Sequence, residues 1–171
     1  MHTIHIRPAA QQDLSAVHEI TQEAFKKYAY DLGRGIPVKA LADTPETLAL
    51  ELQHKHLLIG EIDGETLGSI RYEIVGGIAY FSRFGVKLQA QGCGMGRALV
   101  QAVVREASDA GCRAVALHTS AQMPSLIRFY YGLGFFIHSI NPAPGYYRAL
   151  LVRPFDQNEV YYDYAQSLLG K

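Results

Sequence analysis

The sequence predicts a mixed α/β fold of the α+β kind: a mostly antiparallel sheet that carries one parallel pair of strands and is flanked by helices. Three observations predict it. Two apolar runs, Leu57 to Ile62 and Thr66 to Val75, are joined by Asp63-Gly64, the composition of a two-residue hairpin turn. Gly76-Gly77 then turns the chain into Ile78 to Val86, rich in aromatic and β-branched residues, so three antiparallel strands follow one another. Next come a glycine-rich loop, an amphipathic helix and another apolar strand, a strand-helix-strand unit expected to run parallel with a right-handed crossover.

Each element has a local reason. Thr3 to Arg7 alternates as a strand, and Leu14, Val17, Ile20 and Phe25 then recur at helical spacing. Gly33 to Pro37 breaks that pattern. Thr44-Pro45-Glu46 opens a second helix, with threonine as cap and proline at the first helical position, and this helix should reach about His54. Ala98, Leu99, Ala102, Val103, Ala107 and Ala110 mark the helix after the glycine loop, and Gly111 stops it. Ala114 to Thr119 is a buried strand, Pro124 opens a short helix ending at Gly132, and Phe135 to Ile140 and Tyr146 to Val152 are late strands. The tyrosine-rich segment 154–171 is expected to form a terminal helix that docks or mediates contacts, and a homodimer stays open. With no repeat, low-complexity tract or linker, residues 1–171 read as a single domain.

Sixteen basic residues balance sixteen acidic ones, which removes any general attraction to nucleic acid or anionic lipid, so anion recognition must be local. Two cysteines, Cys93 and Cys112, are too few for a disulfide framework, and His2 to Pro8 lacks the apolar stretch of a secretion signal. A reducing, cytoplasmic setting is expected, and no run approaches the ~20 apolar residues of a membrane span.

The loop Gln91-Gly92-Cys93-Gly94-Met95-Gly96-Arg97 carries the function. A first helical turn presents N–H groups without intrahelical partners and about half a unit of positive charge, so an anion there satisfies both. Glycines at 92, 94 and 96 remove side chains that would hold phosphate oxygens away, and Arg97, with Lys87 nearby, adds full charge. A pyrophosphate-bearing cofactor is expected. The dinucleotide fingerprint fails, because Arg97 stands where its last glycine belongs and no acid follows about 20 residues on. A P-loop fails too: the only Gly-Lys pair is Gly170-Lys171.

On these residues the chain resembles the GNAT superfamily of N-acetyltransferases. Gln91-x-x-Gly94-x-Gly96 matches that family's pyrophosphate loop, Phe81-Ser82-Arg83-Phe84-Gly85-Val86 resembles its fourth strand, and Arg128 to Phe135 resembles its late segment. Ile6-Arg7-Pro8-Ala9 with Asp13-Leu14 is also similar, so the resemblance covers about residues 3–153. It implies a sheet splayed between the fourth and fifth strands, with acetyl-coenzyme A in the gap as co-substrate. Main-chain groups of Phe84, Gly85 and Val86 would hold the pantetheine arm, residues 91–97 the pyrophosphate, and Tyr130 would lie beside the sulfur. Met123 departs from the asparagine many members carry, and Gln122 is the candidate substitute.

Acetyl transfer needs a neutral amine, a stabilised oxyanion and a proton for the departing thiolate. Tyr130 is the candidate acid; a free phenol and a thiol differ by about 1.5 pKa units, roughly 2 kcal/mol. Ala79 to Val86 contains no carboxylate or histidine, so the nearest base candidates are Glu73 and His118. Deprotonating a lysine at pH 7 costs about 4.6 kcal/mol and an α-amine only about 1, so a poorly equipped base site favours a small-molecule or peptide α-amine. His54-x-His56 would place two imidazoles on one strand face, too few ligands for a metal, and none is expected. An acyl-cysteine route at Cys93 is set aside because pyrophosphate occupies the same place. Tyr28, Tyr30 and Arg34 fall where the family's first helices border the acceptor. A non-catalytic acyl-coenzyme A binding or sensor module is the alternative, and a nucleotide-binding protein a third.

Overall fold

A computed structural model describes residues 3–33 and 35–171, so Arg34 lies outside the described residues. In chain order the elements are β1 (His5–Pro8), α1 (Leu14–Leu32), α2 (Pro45–Glu51), β2 (His56–Ile62), β3 (Glu65–Val75), β4 (Ile78–Val86), α3 (Met95–Asp109), β5 (Ala114–Ser120), α4 (Pro124–Tyr131), β6 (Phe136–Ala143), β7 (Tyr146–Pro154) and α5 (Tyr164–Ser167). They form a seven-stranded sheet in the order β1-β2-β3-β4-β5-β7-β6. All neighbours pair antiparallel except β4 and β5, the fold class the sequence predicts. Asp63 and Gly64 both adopt positive φ, 51° and 81°, as a tight hairpin with right-handed strand twist demands.

Alternation along β4 divides the interior. Ala79 and Phe81 join the larger core under α3 and α4, whereas Ile78 and Tyr80 face Tyr164 and Leu168 on the other side. On that second side, α1 and α2 cover β2 through Leu14, Val17 and Leu48 against Leu57 and Ile59. α3 lies close on the sheet because β2 and β3 offer glycines: a Cβ at Gly60 would stand 2.2 Å from Met95 Sδ, and one at Gly68 2.8 Å from Leu99 Cδ1. Met95 and Leu99 are buried there, each stabilising by about 1.5–3 kcal/mol, which fixes the start of the helix and the loop ahead of it.

Three expectations need correction. α2 is capped by Thr44, whose Oγ1 accepts from the Thr47 amide at 3.3 Å, but it ends at Glu51 and turns fill the way to β2. His54 therefore precedes the strand and does not share a face with His56, whose ring stacks on Tyr72 at 4.4 Å. Segment 154–171 forms a 3-10 turn and only the four-residue α5, although it does dock.

β4 contains a bulge. Ser69 pairs with Gly85 and Arg71 with Ser82, so Arg83 and Phe84 together oppose one residue, Ile70. Arg83 has φ of 51°, a conformation that costs on the order of 1–3 kcal/mol in a non-glycine residue. Asp43 offsets it by accepting from Arg83 Nε at 2.9 Å and Nη2 at 3.2 Å. The same carboxylate accepts from Arg71 Nη2 at 2.7 Å, and Glu51 accepts from Nη1 of that arginine, whose side chain is almost wholly buried. Removing one partner of a buried ion pair strands the other charge. Asp43→Ala is therefore expected to lower the urea-unfolding free energy by about 3 kcal/mol. Lys27→Ala, which removes the exposed pair with Asp31, should change it by less than about 0.5 kcal/mol. Equal effects would contradict the role given to the Asp43 network.

Candidate functional site

The parallel ladder between β4 and β5 is short. It consists of Ile78↔Ala114, Ala79↔Val115 and Tyr80↔Ala116, although β4 runs on to Val86 and β5 to Ser120. Beyond Tyr80 the strands part, and a cleft of about 1070 Å³ opens along the gap. Phe81 to Val86 line it from β4, Leu117 to Thr119 from β5, Ala24 and Tyr28 from α1, and Phe129 and Tyr130 from α4. Tyr28 braces the parted strands: its hydroxyl accepts from the Ser120 amide at 3.1 Å.

The glycine loop meets one end of this cleft through Gln91, Gly92, Gly94, Gly96 and Arg97. Gly92 and Gly94 have φ of 83° and 94°, and Gly94 is the residue before α3. The helix ladder begins with the Ala98 amide donating to Gly94 oxygen at 3.0 Å, so the amides just ahead have no acceptor within the helix. Gly96 packs closely on an aromatic ring, since a Cβ there would lie 3.1 Å from Phe84 Cζ. Two loop residues, Cys93 and Met95, do not line the cleft. Met95 buries its side chain in the core, and Cys93 turns its Sγ back to Ala90 oxygen at 2.8 Å. The exposed Arg97 reaches Gly132 oxygen only at 3.5 Å, whereas Lys87 sits 3.7 Å from Glu65.

Tyr130 lies in an aromatic cluster, its ring 5.1 Å from Phe129, 5.8 Å from Phe135 and 6.1 Å from Phe81. Burial, with a smaller contribution from Tyr28, raises its phenol well above the usual range. His118 also lines the cleft, with Nδ1 2.9 Å from the Tyr80 hydroxyl. Burial, aided by the charge of Arg148, lowers its pKa to about 4, so the imidazole is neutral at physiological pH. Glu73 is placed elsewhere. It accepts from Lys171 Nζ at 2.7 Å, has Lys55 Nζ at 3.8 Å, and does not line the cleft. Gln122 and Met123 do line it, with Gln122 Oε1 accepting from the Tyr147 amide at 3.2 Å. Tyr30 points to solvent, 87% exposed.

Sequence reasoning missed Tyr80, Arg83, Arg148 and Lys171, all of which line the cleft. The alternation in β4 that puts Tyr80 and Ser82 on one face is a usable signal; Arg148 and Lys171 reach the cleft by tertiary register alone. Among the described residues no group of three or more His, Cys, Asp or Glu side chains is arranged to hold a metal, and no helix is long and apolar enough to cross a membrane.

A strand pair parted beside a glycine loop at a helix start defines the class of fold. The family model described as the acetyltransferase (GNAT) family matches residues 14–135, and the chain belongs to that family. Solved structures agree in fold. The PaiA N-acetyltransferase of Thermoplasma acidophilum in complex with coenzyme A superposes with a TM-score of 0.76 at 18% identity, over 90% of this chain and 99% of that one. The ribosomal-protein-S18-alanine N-acetyltransferase of Escherichia coli gives 0.70 at 20% identity over 89% and 94%. YncA of Salmonella typhimurium, with its cofactor acetyl-CoA, gives 0.70 at 23% identity over 90% and 95%. No curated protein matches the chain in sequence.

The depressed His118 pKa has a consequence for stability. The unfolded chain binds this proton near pH 6.5 and the folded one only near 4, so stability present above pH 6.5 is lost as pH falls toward 4. His118→Gln should shrink the drop in melting temperature between pH 7 and pH 4.5 relative to the parent. An unchanged drop would show that His118 titrates normally.

Proposed function

We propose that the protein is an N-acetyltransferase that moves acetyl from acetyl-coenzyme A to a small-molecule or peptide amine by direct attack in a ternary complex. The observation that carries this is the gap beyond Tyr80, with the glycine loop at one end and Tyr130 along its wall. Residues 91–97 would hold the pyrophosphate through main-chain amides and Arg97, and Phe84, Gly85 and Val86 would present the parted strand edge to the pantetheine arm. Gln122 would make the contact that Met123 does not.

In the reaction the amine nitrogen bonds to the thioester carbonyl carbon, the carbon–sulfur bond breaks, and the amine loses a proton. Tyr130, protonated because it is buried, donates its proton to the leaving sulfur as the carbon–sulfur bond breaks, and the proton the amine gives up returns to the phenolate through water. For proton removal His118 is the better placed of the two candidates, since Glu73 is engaged by Lys171. A neutral imidazole with a pKa of about 4 is a weak sink, so the amine must lose its proton easily, through His118 or water. An α-amine, about 1 kcal/mol from its neutral form at pH 7, meets that demand better than a lysine side chain. Two unpaired thiols, Cys93 and Cys112, support the cytoplasmic setting.

A binding or sensor module without turnover is the second reading, favoured by the engagement of Glu73. Tyr130→Phe separates the two. On an α-amine panel it is expected to reduce kcat about 100-fold while leaving the KM for acetyl-coenzyme A within about two-fold. Thiol release that is absent in the parent, or unaltered in the variant, would reject the assigned acid.

A further inference from the structure

The face of the sheet that carries Tyr80 holds a second cavity, of about 380 Å³. It opens between β6, β7 and the docked segment, with Ser139, Asn141, Asp163 and Gln166 in its lining beside Leu150 and Leu168. The volume and the polar side chains suit several waters. Among the described residues only His118 and Lys171 line both this cavity and the cleft. Lys171 gives its Nζ to Glu73, which leaves His118 as the group in the shared wall that can accept a proton.

The ring is held by one nitrogen. Nδ1 stands 2.9 Å from the Tyr80 hydroxyl, which Arg148 Nη2 approaches at 3.5 Å. Arginine only donates, so the Tyr80 oxygen faces it as an acceptor, and an Nδ1–H donating to the same oxygen fits that arrangement. This tautomer leaves the lone pair on Nε2, which has no hydrogen-bond partner among the described residues. Facing the ring are Tyr80 of β4, Arg148 of β7, and Asp163 and Lys171 of the docked segment. In the cleft the only acid among the described lining residues is Asp31, already paired with Lys27. In the second cavity Asp163 accepts from the Gln166 amide at 3.0 Å and has no cationic partner among the described residues, so it favours positive charge there.

Acetyl transfer needs such an outlet. The proton lost in the attack itself returns to Tyr130, but an α-amine that enters as its ammonium, the dominant form below about pH 7.8, brings one more. Cofactor and amine together displace water from the cleft, whereas the second cavity keeps room for it. We propose that His118 is the outlet for this surplus proton: Nε2 takes it from the bound ammonium and yields it to water in the second cavity, with Tyr80 positioning the ring. The ammonium N–H bond breaks as Nε2–H forms, that bond then breaks to a cavity water, and the ring returns to the same neutral tautomer. A low proton affinity suits a group that hands the proton on. Transfer to a ring of pKa about 4 is uphill by about four units, and a 10⁴-fold penalty on about 6 × 10¹² s⁻¹ still outruns a typical turnover of about 1–10³ s⁻¹. The proposal rests on acetyl transfer in this cleft and adds a route to it.

The test is how the effect of a substitution changes with pH. Thiol release from acetyl-coenzyme A is followed at saturating amine between pH 6.5 and pH 9.5, with the best-used of alaninamide, alanyl-alanine and seryl-alanine. His118→Gln should lower kcat at least about ten-fold at pH 6.5 and less than about two-fold at pH 9.5, where the amine enters neutral. A second variant fills the cavity from exposed positions, Asn141→Leu combined with Gln166→Leu, and leaves the cleft lining intact. It should keep its affinity for acetyl-coenzyme A and show the same trend, at least about three-fold at pH 6.5. If His118→Gln does not fold, this variant decides alone. A parent-to-variant ratio that is the same at every pH, or a leucine variant equal to the parent throughout, would overturn the outlet while acetyl transfer stands. A folded parent that releases no thiol with any of these amines would overturn the acetyl-transfer reading and the outlet with it.

Discussion

The site depends on one constraint: β4 cannot keep pairing with both neighbours. It holds β3 along its length by admitting a bulge at Arg83 and Phe84, and it lets go of β5 after Tyr80↔Ala116. A residue with φ of 51° in a strand is unfavourable alone, and it persists because Asp43 grips the Arg83 guanidinium from outside the sheet. Main-chain groups that a continuous ladder would consume are thereby left along a cleft. On one face the opening is lined by the Phe81, Phe84, Phe129 and Tyr130 rings; from α1, Tyr28 braces it against Ser120.

The two faces of β4 and β5 divide the labour. The face under α3 and α4 is apolar and places the loop: Met95 and Leu99 fill the hollows above Gly60 and Gly68, so the loop's amides sit on a rigid base. The opposite face is polar and highly connected. Arg71, nearly inaccessible, is answered by Asp43 and Glu51, and Tyr80, His118 and Arg148 form a hydrogen-bonded chain beside the docked segment ending in Lys171.

Much of the fold was legible because its signals are local. Asp63-Gly64 and Gly76-Gly77 announce their turns, Thr44-Pro45 its helix start, and β4 has the bounds its β-branched and aromatic run predicts. The glycine loop ahead of α3 is readable for the same reason, as it lies in seven consecutive residues. What stayed hidden is non-local. Nothing near Arg83 in sequence signals a positive φ, because the bulge is fixed by Asp43, forty positions earlier. Glu73 looked available from its strand, yet its partner Lys171 lies 98 residues away.

The central claim is that main-chain amides of residues 91–97 hold a diphosphate while the thioester lies in the gap beyond Tyr80. Calorimetric titration of acetyl-coenzyme A into the protein and into Gly96→Glu tests it most directly. Saturable binding by the parent and at least 100-fold weaker binding by a variant that keeps a cooperative melt is the predicted result. No binding by the folded parent, or equal affinity in the variant, would contradict it.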